Sequence, residues 1–131
     1  MEKAEHDIEP TRAEQPSDIS RWLSAMAYAF VVAVFVLYEA RKRPGDEYLK
    51  YHAKQGFVLF FVEFTLLIAS MVLHSALHDI RVVGVVVLVT WDLAFGLLAI
   101  GVSAMGFMYG LSGEKWQMPF LWRYSDRVPL D

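Results

Sequence analysis

Hydrophobic and polar positions divide the chain into a polar N-terminal stretch and three long hydrophobic blocks. The blocks occupy residues 22–38, 55–77 and 82–113, and charged residues separate them. A bilayer core of about 30 Å is crossed by about 20 helical residues, so blocks of this length are typical of membrane spans. The pattern predicts an all-α membrane protein, a three-transmembrane-helix bundle with spans at about 22–40, 55–77 and 82–112.

The third block is longer than one span requires. As a continuous helix it would measure about 50 Å, which exceeds the hydrocarbon thickness but leaves no room for two full spans. One tilted helix that projects into the aqueous phase is the simplest solution. A break or a re-entrant piece near Gly84 is the alternative.

Outside the spans the chain is polar. We divide it into an acidic polar tail (1–19), a helical membrane domain (20–122) and a short polar C-terminal tail (123–131). Pro10 and Pro16 interrupt any helix in the acidic tail, which has almost nothing to bury. We therefore expect this tail to be disordered unless a partner orders it.

Lysine and arginine residues favour one orientation in the membrane. The first loop and the C-terminal segment carry most of them: Arg41, Lys42, Arg43, Lys50, Lys54, Lys115, Arg123 and Arg127. By the positive-inside rule, the first loop and the C terminus are cytoplasmic and the N terminus is outside. We predict a multi-pass protein of the inner (cell) membrane or an equivalent membrane.

Composition narrows the functional classes. The chain is 56% hydrophobic and carries a formal charge of −3, which argues against a soluble domain and against nucleic-acid binding. It has no cysteine, so disulfides, thiol catalysis and cysteine-based zinc sites are excluded. We find no phosphate-binding loop, nucleophile elbow or catalytic triad, and expect neither catalysis nor a cofactor.

Small residues form a stripe along the third span. They follow one another at steps of 3, 4, 3 and 4: Gly96, Ala99, Ser103, Gly106 and Gly110. The last two make a GxxxG pattern, which lets helix backbones approach closely in lipid. The stripe predicts a helix-packing interface, either within the bundle or with a second copy or a partner subunit. In the second case Gly106→Leu would loosen the assembly.

Two acidic residues interrupt the hydrophobic blocks. Glu63 and Asp92 are predicted at similar depth near the bilayer midplane, where a charged group is costly and needs a partner or a proton. They could share a proton, move protons or cations, or hydrogen-bond to Ser70 and specify helix pairing. An interface with a missing partner is a further alternative.

His74 and His78 are spaced i, i+4 at the end of the second span. This spacing would suit a metal or tetrapyrrole pigment, although zinc would need further ligands. Polar helix ends are the simpler interpretation.

Two short segments resemble a known family. The first is an aromatic-x-x-aromatic-His-Ala-x-Gln pattern and the second a Gly-Glu-x-Trp-x-x-Pro pattern, with key positions Tyr51, His52, Gln55, Gly113, Trp116 and Pro119. With the start of the first span, they are similar to small bacterial and archaeal membrane proteins related to the twenty-kilodalton Tic subunit of the chloroplast import translocon. Most members of that bacterial group are classed as a domain of unknown function, and the group includes magnetosome-membrane proteins of the MamF type.

The resemblance covers residues 20–122 and implies a compact bundle of hydrophobic helices. It implies no reaction, and in the chloroplast protein the family is associated with a protein-conducting or scaffold role. We therefore expect a non-catalytic small subunit or scaffold that contacts the lipid bilayer and other membrane subunits or itself. The alternative is a small oligomeric transporter or channel for protons, cations or polypeptide.

Overall fold

The computed structural model describes residues 15–130, which form five α-helices and no β-strand. The helices are α1 (Asp18–Met26), α2 (Val32–Arg41), α3 (Glu47–Leu77), α4 (Arg81–Ser112) and α5 (Trp122–Ser125). The predicted all-helical class is confirmed. Within these residues, α3 and α4 are long and apolar enough to cross a membrane. Most of the predicted acidic tail, residues 1–14, lies outside the described residues.

Helices α3 and α4 form a long antiparallel hairpin. They contain 31 and 32 residues and are joined by residues 78–80. The Asp46 side chain accepts a hydrogen bond from the Leu49 amide and caps the start of α3. Gly113, in the left-handed region with φ of 84°, ends α4. Each helix is about 45 Å long, so the hairpin exceeds a bilayer core.

The long third block is one unbroken helix. The break near Gly84 that the sequence left open is absent from α4, which continues through this position. Gly84 instead contacts the carbonyl of Leu77 at the tip of the hairpin. A residue without a side chain lets the two helix ends meet there.

The first hydrophobic block does not form the single span that the sequence predicts. Residues 27–31 separate α1 from α2 and carry several hydrogen bonds between residues three apart. At the start of α1, the Ser20 hydroxyl donates to Asp46, which precedes α3. At the end of α2, Arg41 is joined to α3 by only five residues. Both ends of this block therefore lie beside the start of α3, and the block folds back on itself as a hairpin of α1 and α2, here named the re-entrant hairpin.

A close backbone contact positions the tip of the re-entrant hairpin. A Cβ atom on Gly56 would collide with the carbonyl oxygen of Ala27, so only glycine lets α3 approach the chain here. The rings of Phe30 and Phe60 meet one turn further along, with centroids 5.2 Å apart. The tip thus reaches only partway along α3.

The buried core is confined to the end of the molecule that contains the re-entrant hairpin. Its apolar members come from the turn between α1 and α2, from α2, from the first half of α3 and from the C-terminal segment that follows α4 (residues 113–130): Ala27, Tyr28, Val36, Leu37, Ala40, Leu49, Ala53, Leu59, Met118 and Leu130. Residues 123–130 are therefore not simply a free polar tail. Among residues 15–130, no element covers the other half of the α3–α4 hairpin, where Val82 and Leu98 are 76% and 66% exposed.

Gly106→Leu should destabilise this core. The added side chain would enter the space of the Tyr28 ring, which lies against Gly106, and overpacking of this kind costs about 1–3 kcal/mol. Gly101→Leu is the matched control, because no atom lies within 4 Å of a Cβ at Gly101. Unfolding in detergent should show a lower midpoint for Gly106→Leu alone. Equal midpoints for the two variants would contradict the packing.

Candidate functional site

A buried chain of hydrogen bonds centres on His52. The Tyr28 hydroxyl lies 2.8 Å from Nδ1 of His52, and Nε2 lies 3.0 Å from the carbonyl oxygen of Glu114. Because a carbonyl oxygen can only accept, Nε2 carries a proton and donates, and in the neutral ring the Tyr28 hydroxyl donates to Nδ1. His52 has no exposed surface. The chain of bonds joins the tip of the re-entrant hairpin, α3 and the segment after α4.

The other positions of the two sequence motifs surround the same histidine. The backbone amide of Met118 donates to Oε1 of Gln55 over 3.0 Å, which fixes the C-terminal segment to α3. The ring of Tyr51 packs edge-on against His52 at 5.3 Å, and Trp116 stacks on Tyr109 at 5.3 Å. The motif residues therefore hold the C-terminal segment against α3 and α4.

Two further hydrogen bonds lie at the end of this cluster nearest the start of α3. Nε of Arg21 donates to the carbonyl oxygen of Leu111 over 2.6 Å, and the Tyr48 hydroxyl donates to that of Gly110 over 2.9 Å. Both carbonyls belong to the last turn of α4, where no intrahelical donor is left for them. These side chains therefore satisfy the end of α4 and tie it to α1 and α3.

The start of the C-terminal segment departs from helix at the second motif. Gly113 ends α4, and Phe120 follows Pro119 with φ of 63°, a conformation that a bulky residue rarely adopts. The Phe120 side chain is 88% exposed. The segment is therefore anchored at Met118 and presents an aromatic side chain immediately afterwards.

A second row of polar contacts joins α3 to α4 through the hydrophobic blocks. From the core outward, the pairs are Glu63 with the Ser103 hydroxyl at 3.1 Å, Ser70 with the Trp91 indole nitrogen at 2.6 Å, and His74 with Asp92 at 2.8 Å. Each pair gives a polar group a partner across the hairpin. This arrangement agrees with the helix-pairing alternative for these residues.

Glu63 and Asp92 are not brought together as a proton-sharing pair. Each carboxylate hydrogen-bonds to a different side chain, Ser103 and His74 respectively. Glu63 meets α4 at Ser103, which is eleven residues, or about 16 Å of helix, beyond Asp92. The two carboxylates therefore do not share the depth that the sequence predicts, because the ends of the hydrophobic blocks do not give the register between the two helices. Ser70, predicted as a partner of the acids, accepts from Trp91 instead.

The two histidines at the end of α3 do not form a joint site. His74 contacts Asp92, whereas Nε2 of His78 lies 2.9 Å from Asp79. Among residues 15–130, no three histidine, aspartate or glutamate side chains come together to hold a metal ion. Each of the two histidines contacts a different carboxylate instead of facing a shared ligand.

The small-residue stripe of α4 has two different environments. Gly106 lies against the Tyr28 ring, and a Cβ at Gly110 would be 2.6 Å from the amide nitrogen of Ala25. The GxxxG pair therefore packs within the chain, so Gly106→Leu is a test of folding rather than of assembly. At Gly96 a Cβ would meet no atom within 4 Å. Among the described residues, the outer part of the stripe, towards the α3–α4 turn (Gly96 and Ala99), is therefore the part with room for another molecule.

An open concavity lies beside the outer part of the stripe. It has a volume of about 430 Å³ and is bounded by the tip of the re-entrant hairpin on one side and by α3 and α4 on the other. Ala99 and Ser103 line it, together with Phe95 and the buried Glu63. The concavity is apolar apart from the Glu63–Ser103 pair.

Sequence reasoning missed the partners that complete both polar groups. The sequence analysis did not single out Tyr28, and the carbonyl of Glu114 gives no signal in a sequence. Trp91 was not singled out either. One signal was present: Tyr28 is a polar aromatic residue inside a hydrophobic block, and such a hydroxyl usually has a partner when buried.

The comparisons with known proteins give no further guide to the site. A scan of protein-family models and searches of curated proteins and of solved structures found no match to this chain.

Tyr28→Phe should destabilise the protein without altering its shape. The change leaves Nδ1 of His52 buried without its donor, which costs about 1–3 kcal/mol. Tyr38→Phe is the control, because Tyr38 is 57% exposed. Thermal unfolding in detergent should separate the two variants. If both unfold at the wild-type midpoint, the buried bond has no structural role.

Proposed function

We propose that the protein is a non-catalytic integral membrane protein that acts as a small subunit or scaffold for other membrane helices. One observation carries this proposal: the outer half of the α3–α4 hairpin is a bare pair of apolar helices. Large hydrophobic side chains there are widely exposed, including Val83, Leu93, Leu97 and Ile100. Such a surface suits lipid or neighbouring helices and is unsuited to water.

The proposed topology has two spans and a re-entrant hairpin. Helices α3 and α4 cross the bilayer, and α1 and α2 enter it and return on the side where α3 begins. Irregular backbone at membrane depth is tolerated where protein covers it, as α3 covers Ala27 and α4 covers Tyr28. The basic residues of the first loop and the C-terminal segment make this side cytoplasmic. The start of α1 is then cytoplasmic too, which replaces the expected outside N terminus.

The concavity lined by Ala99 and Ser103, together with Gly96 one turn away on α4, is the proposed contact surface for a partner helix. Gly96 and Ala99 would allow a neighbouring backbone to approach closely. The Glu63 carboxylate, with one hydrogen bond from Ser103, offers a further acceptor to a polar group on the partner. The resemblance to the Tic-like family agrees with a role in assembly, because its motif positions fasten helices rather than form a reactive site.

Transport is less well supported as the function. The carboxylate mechanism needs Glu63 and Asp92 to act together, and each has its own partner. Two spanning helices also enclose no pathway by themselves. A channel would therefore require several copies, with Glu63 at the contact.

Gentle extraction from the native membrane tests the proposed function. We expect the wild-type chain to be isolated in a stoichiometric complex with other membrane subunits, measured by mass and composition. Gly96→Leu should reduce recovery of those subunits because it fills the contact surface, whereas Gly101→Leu, on the same helix, should not.

Both variants should unfold like the wild type, because neither position has a neighbour that a Cβ would meet. A chain that is isolated alone would contradict the subunit role. A complex that Gly96→Leu leaves intact would show that the contact surface is wrongly assigned.

A further inference from the structure

A lysine-lined pocket opens at the cytoplasmic end of the proposed membrane domain. It has a volume of about 210 Å³ and lies between the first turns of α3 and the C-terminal segment. Lys50, Lys54 and Lys115 line it, together with Glu47 and Asp126. Among the described residues, three lysines and two carboxylates line the pocket, an excess of one positive charge.

The three lysines of the pocket differ in whether a carboxylate pairs with their ammonium group. Lys50 is engaged, with bonds of 3.1 Å to Glu47 and 2.6 Å to the carbonyl oxygen of Pro44. Among the described residues, Lys54 and Lys115 form no ion pair within 4.0 Å, and Nζ of Lys115 lies 5.5 Å from the centre of the Tyr51 ring. Two ammonium groups therefore remain to bind an anion.

An apolar groove lies one turn further along the same two elements. Its volume is about 400 Å³, and it is lined by Phe57, Val58 and Phe61 of α3 and by Leu121, Tyr124 and Val128 of the C-terminal segment. Lys54, Val58 and Phe61 follow at steps of four and three, so they share one face of α3. The polar pocket and the groove are thus successive parts of one cleft.

The polar pocket and the apolar groove follow one another in the same order as the headgroup and hydrocarbon layers of a bilayer. The groove lies on the side of the hydrophobic stretch of α3, and the lysines lie towards its first turn. Trp122, Tyr124 and Phe120 are exposed around the C-terminal side of the cleft, as is typical of the membrane–water interface. A molecule that fills the cleft would have an anionic end at the surface and a hydrocarbon end in the membrane.

We infer that this cleft binds an anionic phospholipid, with its phosphate between Lys54 and Lys115 and part of an acyl chain in the groove. The inference rests on the proposed membrane location. Asp126, on the rim of the pocket, can accept a hydrogen bond from hydroxyls of a glycerol headgroup. A bound lipid would hold the C-terminal segment against α3 from outside, as Gln55 does from within.

Native mass spectrometry of the full chain in detergent tests the inference with three lipids. Phosphatidylglycerol should bind more tightly than phosphatidylethanolamine or phosphatidylcholine. Lys54→Ala should weaken phosphatidylglycerol binding about fivefold, from the usual contribution of one basic residue at a membrane surface. Lys42→Ala removes the same charge outside the cleft, where Lys42 pairs with Glu39, and should have no effect.

A second variant pair tests the groove. Val58→Trp should fill it and weaken phosphatidylglycerol binding, whereas Val72→Trp, at an exposed position of α3, should not. Glycerol phosphate without acyl chains should compete poorly. If it competes as well as the lipid, the ligand is a soluble phosphate compound and the lipid assignment is overturned.

Equal binding of the three lipids, or equal effects of Lys54→Ala and Lys42→Ala, would also overturn the inference. That failure differs from failure of the proposed function. A chain found in the membrane fraction with its partner subunits but without lipid preference would lose only the lipid site. A chain found in the soluble fraction would lose both proposals.

Discussion

The hydrogen-bond chain through His52 is the constraint on which the rest of the structure depends. Its bonds to Tyr28 and to the carbonyl of Glu114 connect three parts of the chain that are far apart in sequence. In a buried, apolar setting each of these polar groups must have a partner, so the elements that supply the partners are fixed relative to α3. The closed end of the molecule is built around this requirement.

This constraint also explains why the molecule is closed at one end and bare at the other. The re-entrant hairpin reaches only as far as Tyr28 and Phe30, because Ala27 contacts Gly56 and the chain then turns back. Beyond that level, within the part of the chain that the structure describes, α3 and α4 contact only each other, and polar pairs such as His74 with Asp92 join them. Those pairs hold the two helices together without covering them. The uncovered apolar surface is the one that we propose contacts lipid and partner helices.

The sequence predicted the long helices well and the first block poorly. Hydrophobic length identifies α3 and α4 because it reflects the thickness of a bilayer, but it does not record the direction of a chain. Residues 27–31 contain neither glycine nor proline to mark a turn, and the residue that permits the turn is Gly56 on another helix. Likewise, the motif around His52 located the polar cluster, but its partners Tyr28 and Glu114 depend on the fold.

Site-directed cysteine labelling tests the central claim, the re-entrant hairpin, most directly. The chain has no cysteine, so single substitutions at Gln15, Arg43 and Asp79 give clean reporters for a membrane-impermeant maleimide. The account predicts that intact cells label only Asp79→Cys, and that Gln15→Cys and Arg43→Cys label together after permeabilisation. Labelling of Gln15→Cys together with Asp79→Cys in intact cells would show that the first block crosses the membrane, and would contradict the account.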